Sequence, residues 1–253
     1  MPKQAQGGSN VDRRNFLALA AAAGATAGAL PPTEAASAAE PAVNSSHAMH
    51  AEAAALSRPD PATAAYQFFN VDESAFIEAA IDTLIPSDTV GPGAMELGVA
   101  TYIDRQMAGA YGKGDRLYLE GPFGEGTPQQ GYQLLMTPAE LIRAGIADIN
   151  AHAQKTYRRP FSALSEQDRI AVLTDLEDEK IELTTVPLAT FFGLLLQLTV
   201  EGYFADPMYG GNKDKAAWKM IGFPGASAMY MDKIEPFRNR PYTVEPMGIA
   251  DLS

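Results

Sequence analysis

The chain contains no cysteine. That excludes disulfides, thiolate-bound iron-sulfur clusters, haem attached through Cys-x-x-Cys-His and a cysteine nucleophile, so any redox chemistry connected with it belongs to another molecule. Histidine is nearly as scarce, with three residues. His47 and His50 flank Met49, and two imidazoles with a thioether could ligate copper. They stand in an Ala-, Ser- and Pro-rich stretch, however, and an unstructured segment cannot fix ligand geometry. His152 falls within a predicted helix with no partner at a useful spacing and reads as a surface or half-buried helix residue. Basic residues are the third deficit, 19 against 31 acidic ones for a net charge of -12. Such a chain repels phosphate backbones and anionic lipid, which excludes nucleic acid as an expected partner.

Catalytic signatures are missing as well. Gly112-Lys113-Gly114 begins like a dinucleotide fingerprint, but Leu117 stands where the third glycine belongs and no strand precedes it. There is no Gly-x-Ser-x-Gly elbow. The acids of "DLEDEK", residues 175–180, read as a solvated helix face. Nowhere do apolar and polar residues alternate regularly, which argues against strands and against the strand-and-helix pattern of a solute-binding protein. The expected fold is mostly α, a single helical domain with long glycine- and proline-rich loops.

What is present begins with an export signal. Arg13-Arg14-Asn15-Phe16-Leu17 is followed by the uncharged run "AAAAGATAGAL" and by small residues at Ala36-Ser37-Ala38. A basic start, an apolar run and a small-residue cleavage site describe a secretory leader. The pair Arg13 and Arg14, with Phe16 and Leu17, resembles the signal read by the twin-arginine translocase, which carries folded proteins. Asp12 replaces the common Ser or Thr, and Ala18 the common Lys. Pro31-Pro32 ends the run before the roughly 20 apolar residues a bilayer span requires. Residues 1–38 are therefore expected to be the signal, 39–65 a flexible linker and 66–253 the helical domain, with folding beginning near Tyr66.

Within that domain, Asn70 or Asp72 can cap a helix carrying Phe76, Ile77, Ala80, Ile81 and Leu84, which Pro86 stops. A second helix is predicted from Met95 to Ala108. Thr137-Pro138-Ala139-Glu140 is a capping box with proline at the first helical position, opening a helix to about Tyr157. Ser165, with Asp168 in the first turn, opens another over 166–180, with Ile170, Leu173, Leu176 and Ile181 facing inward. The apolar stretch from Val186 to Phe204 is broken by Pro187, Gln197 and Glu201, and reads as the central core helix rather than a membrane span.

Two loops remain without a structural explanation of their own. Residues 109–136 are glycine- and proline-dense, and loops of such length in a compact domain are usually functional or partner-bound. In the second, Asp206-Pro207 forces extended backbone and Gly210-Gly211-Asn212 tolerates positive φ, next to Tyr203, Phe204, Tyr209 and Trp218, the chain's one tryptophan. Aromatics on a rigid turn suit interface anchors, so Asp206, Pro207, Tyr209, Gly210, Gly211, Asn212 and Trp218 are the candidate partner-binding residues.

The segments "FADPMYGGN" running into "WKMIGFPG", "LIPSDTVGPGAMELGVATYIDRQMAG" and "EGPFGEG" followed by "GYQ" occur in order between Phe69 and Gly225. In these segments the chain resembles the gluconate 2-dehydrogenase subunit 3 family, small subunits of membrane-associated, flavin-dependent sugar and sugar-acid dehydrogenases. Ala216-Ala217 stands where a Val-Gly or similar pair usually precedes the tryptophan. The resemblance implies a complex of an FAD-containing catalytic large subunit, a multihaem cytochrome c that passes electrons to quinone, and this small subunit, which holds no cofactor or metal and is not an enzyme on its own. It implies a chaperone and twin-arginine export escort for the flavoprotein, which typically lacks an export signal. It also implies a periplasmic location, with membrane association only through a partner. The alternative from the residues alone is a free-standing periplasmic enzyme or metal-binding protein using His47, Met49 and His50.

Overall fold

Free amides at helix starts need acceptors, and local side chains supply them. In the computed structural model, which describes residues 65–115, 117–124, 127, 133–227 and 229–252, Asn70 caps α1 (Val71–Leu84). Its side chain accepts the N–H groups of Asp72 and Glu73 at 3.0 and 2.9 Å, and Glu73 accepts the Asn70 N–H in return. Thr137 and Glu140 form the same reciprocal box at α3 (Pro138–Tyr157), and Ser165 accepts the Asp168 N–H at α4 (Glu166–Glu177). The leader residues Arg13, Arg14, Phe16 and Leu17, the linker up to residue 64 and the His47–His50 group lie outside the described residues.

Two helices depart from their predicted bounds. α2 runs Val99–Ala108, not from Met95, because Gly98 takes φ 75 in the left-handed region, where a right-handed helix cannot pass. That conformation is fixed from outside: a Cβ on Gly98 would stand 2.8 Å from the Gly210 carbonyl oxygen. α4 stops at Glu177 rather than near Lys180, since Glu179 turns left-handed at φ 54 and the Lys180 N–H reaches back to Asp175. Ile170 is a further correction. It is 42 % exposed while Val172 is buried, because the inward face centres on Val172, Leu173 and Leu176 and leaves Ile170 at its edge.

α5 (Leu188–Phe204) is the central element and packs against α1, α2, α3 and α4 and the short α6 (Ala216–Ile221). Phe191, Leu195, Leu198 and Tyr203 are fully buried along it. At its crossing with α3 the helices approach so closely that a Cβ on Gly145 would fall 1.9 Å from the Phe191 ring. Among the described residues there are seven α-helices, the last being α7 (Met231–Ile234), and no strand beyond an isolated bridge between Gly225 and Met247. Also among the described residues, no helix is long and apolar enough to cross a membrane.

The chain enters the domain through a clamp. Asp104 of α2 is 1 % exposed, and its carboxylate accepts three consecutive backbone N–H groups, Gln67 at 2.7 Å, Phe68 at 2.9 Å and Phe69 at 3.0 Å. Arg143 of α3 adds a bond to the Phe68 carbonyl at 2.7 Å, lies 4.0 Å over the Phe68 ring and pairs with Glu73. Tyr66 donates to Glu78 of α1 at 2.6 Å. Burial, with the Glu78 carboxylate beside it, pushes the Tyr66 phenol well above its ordinary range, so it remains a donor at any physiological pH.

Hydrogen bonds to a charged group contribute about 1.5–3 kcal/mol each, and stranded buried amides cost about 1–3 kcal/mol. Asp104→Ala should therefore destabilise the domain by at least about 3 kcal/mol, read as a lower denaturant midpoint. Asp104→Asn should fall between, because an amide keeps one acceptor oxygen and turns a donor toward one of the three N–H groups.

Candidate partner-docking site

α5 ends in a loop whose shape is set by backbone packed on backbone. Asp206 accepts the Met208 N–H at 3.0 Å and starts a 3-10 turn, Pro207–Tyr209. Gly210 follows at φ 106. A Cβ on Gly211 would sit 2.0 Å from the Gly202 carbonyl oxygen of α5, so only glycine fits there. Asn212 is fully buried at φ 46. Its side chain donates to the Ala205 carbonyl and accepts the Ala217 N–H, both at 2.9 Å, tying the two sides of the loop together. Asparagine suits this position because it tolerates the left-handed region and satisfies backbone groups with a short side chain. The Lys213 N–H reaches the Leu97 carbonyl at 3.1 Å, which fastens the loop to the turn before α2.

The seven sequence-predicted partner residues are thus gathered in one place but divide into two kinds. Gly210, Gly211, Asn212 and Trp218 are buried. The Trp218 indole N–H donates to the Phe204 carbonyl at 2.8 Å and its ring meets Phe223 edge-on, so in this chain Trp218 is packing beneath the loop. Asp206 and Pro207 are half-buried, and Tyr209 is 46 % exposed. Met208, equally exposed, was not singled out from the sequence. The second candidate loop, residues 109–131, is described only in part. Its Gly112 is buried and accepts the Ala139 N–H, which anchors the loop to the first turn of α3.

Four further side chains, Tyr102, Tyr111, Gln197 and Glu201, stand together near this end of α5. The Tyr102 hydroxyl of α2 donates to Glu201 of α5 at 3.3 Å, and Gln197 donates to the other Glu201 oxygen at 2.7 Å. The Tyr102 ring rests on Gly202, where a Cβ would approach it to 2.7 Å. Burial and the Glu201 carboxylate raise the Tyr102 phenol well above its usual range, with Tyr111 and Tyr209 near enough to contribute. Burial and Glu201 raise Tyr111 also. Tyr102 and Tyr111 therefore stay neutral. Glu201 is visible in the sequence only as a charge interrupting an apolar run, and nothing local indicates that Tyr102 lies beside it.

The carboxyl-terminal segment borders the same region. Asp206 accepts the Ile249 N–H at 2.7 Å and Lys215 pairs with Asp251, whose carboxyl is held below its ordinary range by that lysine and by the Gly248 N–H. Elsewhere, a recess of about 420 Å³ is lined by Asp72, Asn150, Gln154, Pro160 and Ser162. His152 is half-buried on α3. Among the described residues no group of three His, Asp or Glu is arranged to hold a metal ion.

The profile of the gluconate 2-dehydrogenase subunit 3 family matches residues 71–225. No curated protein and no solved structure matches the chain. The matched stretch opens with α1 and closes at Gly225, so it contains every helix of the core and the whole loop from Asp206 to Trp218. On that match, which spans more than half of the sequence, the chain belongs to the gluconate 2-dehydrogenase subunit 3 family.

Proposed function

We propose that this chain is the non-catalytic small subunit of a flavin-dependent, gluconate 2-dehydrogenase-like complex. It serves as folding partner and twin-arginine export escort of the FAD-containing catalytic subunit. The observation that carries the reading is the family match over 71–225, joined to an exposed tyrosine and methionine surface held on a backbone-locked loop. Fixing each loop residue costs about 1–2 kcal/mol of backbone entropy. Here, packing against α2 and α5 meets that cost before any partner arrives, and a preorganised surface binds with less loss of freedom.

In this reading FAD and haem c reside in the partner subunits, the catalytic flavoprotein and a multihaem cytochrome c. The redox-inert composition of this chain is in keeping with that division: without cysteine it offers no thiolate ligand and no covalent haem attachment. The paired arginines at 13 and 14 would bring the folded assembly to the translocase and so to the periplasm, with the membrane reached through the partners. The oxidised substrate is a sugar, sugar acid or polyol handled by the flavoprotein.

Two experiments test the reading. With Arg13 and Arg14 both changed to Lys, the chain and the activity of its partner flavoprotein should stay together in the cytoplasmic fraction; normal periplasmic activity defeats the escort role. Docking is tested by separating binding from packing. Tyr209→Ala should weaken co-purification of the flavoprotein by more than about 1 kcal/mol while leaving the melting curve of the isolated subunit unchanged. Trp218→Ala should instead lower the melt, by about 3–5 kcal/mol of stability, because it empties a buried site.

A further inference from the structure

Glu201 occupies an electrostatically adverse position. It stands in the last turn of α5, where the helix carries its partial negative charge and cations are favoured, yet that turn holds no basic residue. At that end the Phe204 and Ala205 carbonyls accept from neutral donors, the Trp218 indole N–H and the Asn212 amide. Among the described residues no lysine or arginine pairs with the Glu201 carboxylate. Its only bonds there are from Tyr102 to Oε2 and from Gln197 to Oε1. A carboxylate oxygen can accept about two hydrogen bonds, so one acceptor position remains open on each oxygen, and the residue is exposed to solvent.

Two open positions, one per oxygen, equal in number the two parallel N–H groups that a guanidinium presents to a carboxylate. A lysine ammonium would bind as a point charge and use this geometry less well, whereas a flat guanidinium also stacks against aromatic rings. Tyr111, 39 % exposed and near enough for the Glu201 carboxylate to raise its phenol, supplies such a ring. The balance of charge favours a basic partner surface too, since this chain carries 31 acidic residues against 19 basic ones. We infer that Glu201, held by Tyr102 and Gln197 with Tyr111 nearby, receives an arginine side chain of the catalytic flavoprotein. The inference rests on the proposed function and names the point of contact within it.

The test compares the full chain with Glu201→Gln and, as a control that removes the same charge elsewhere on the exposed surface, Glu182→Gln. Each is titrated with the purified FAD-containing partner subunit, at low and at physiological salt. Glu201→Gln should weaken binding at least about tenfold and flatten its salt dependence, while Glu182→Gln leaves both near the unaltered values. The melting temperature of isolated Glu201→Gln should be unchanged or higher, because a like charge at the helix end has been removed.

Equal affinity of Glu201→Gln and the unaltered chain overturns this inference alone. So does equal weakening by both variants, which would assign the effect to net charge. A lowered melt that parallels the lost binding also overturns it, by assigning Glu201 to packing. An unaltered chain that fails to bind the flavoprotein overturns the proposed function and this inference with it.

Discussion

The fold depends on a seam in which backbone touches backbone. Gly202 of α5 lies under Gly211, and Gly98 ahead of α2 lies against the Gly210 carbonyl, at separations no Cβ would allow. Dispersion attraction falls off within fractions of an ångström, so contact this close gives the loop the packing of a helix without its hydrogen-bond ladder. The effects run in both directions. Gly98 is held at positive φ and fixes where α2 can start, and the absence of a side chain at Gly202 admits the Tyr102 ring. The loop at the end of one helix and the turn at the start of another are therefore a single packed unit. Tyr209 projects from its outer side, 46 % exposed.

Where the determinants were local, the sequence was sufficient. Asn70, Thr137 and Ser165 each find their acceptors or donors within three residues, and all three helix starts were legible. The apolar run from Val186 to Phe204 marked the central helix, and Pro187, read from the sequence as a break in that run, stands at its N-cap. What escaped was set at long range. The start of α2 answers to Gly210, more than a hundred residues further on. Tyr102 and Glu201 are 99 residues apart, and no periodicity or motif joins them. Trp218 and Tyr209 are both aromatic residues near one loop, yet one lies beneath it and the other upon it. Composition cannot separate those roles, because the distinction depends on which carbonyl the indole N–H can reach.

The polar interior follows one rule in two versions. Asp104 and Asn212 are both buried, and both spend their side-chain oxygens on main-chain N–H groups rather than on other side chains. Asp104 serves three consecutive amides of a bent segment that has no ladder of its own. Asn212 bridges the two sides of a turn. In a helical protein, irregular backbone that enters the interior has no ladder to satisfy it, and these two residues replace the ladder at the places where the chain enters the body and reverses within it.

The clamp on residues 66–69 has a mechanical meaning. A pull applied to the chain ahead of Tyr66 would meet Glu78 of α1, Asp104 of α2 and Arg143 of α3 together. Consecutive residues are thus tied to three different helices, so freeing this end means breaking contacts to all three rather than to one. Peeling the leading end away would therefore disturb the helical body as a whole, and the proposed export in folded form is the circumstance that would put this end under tension.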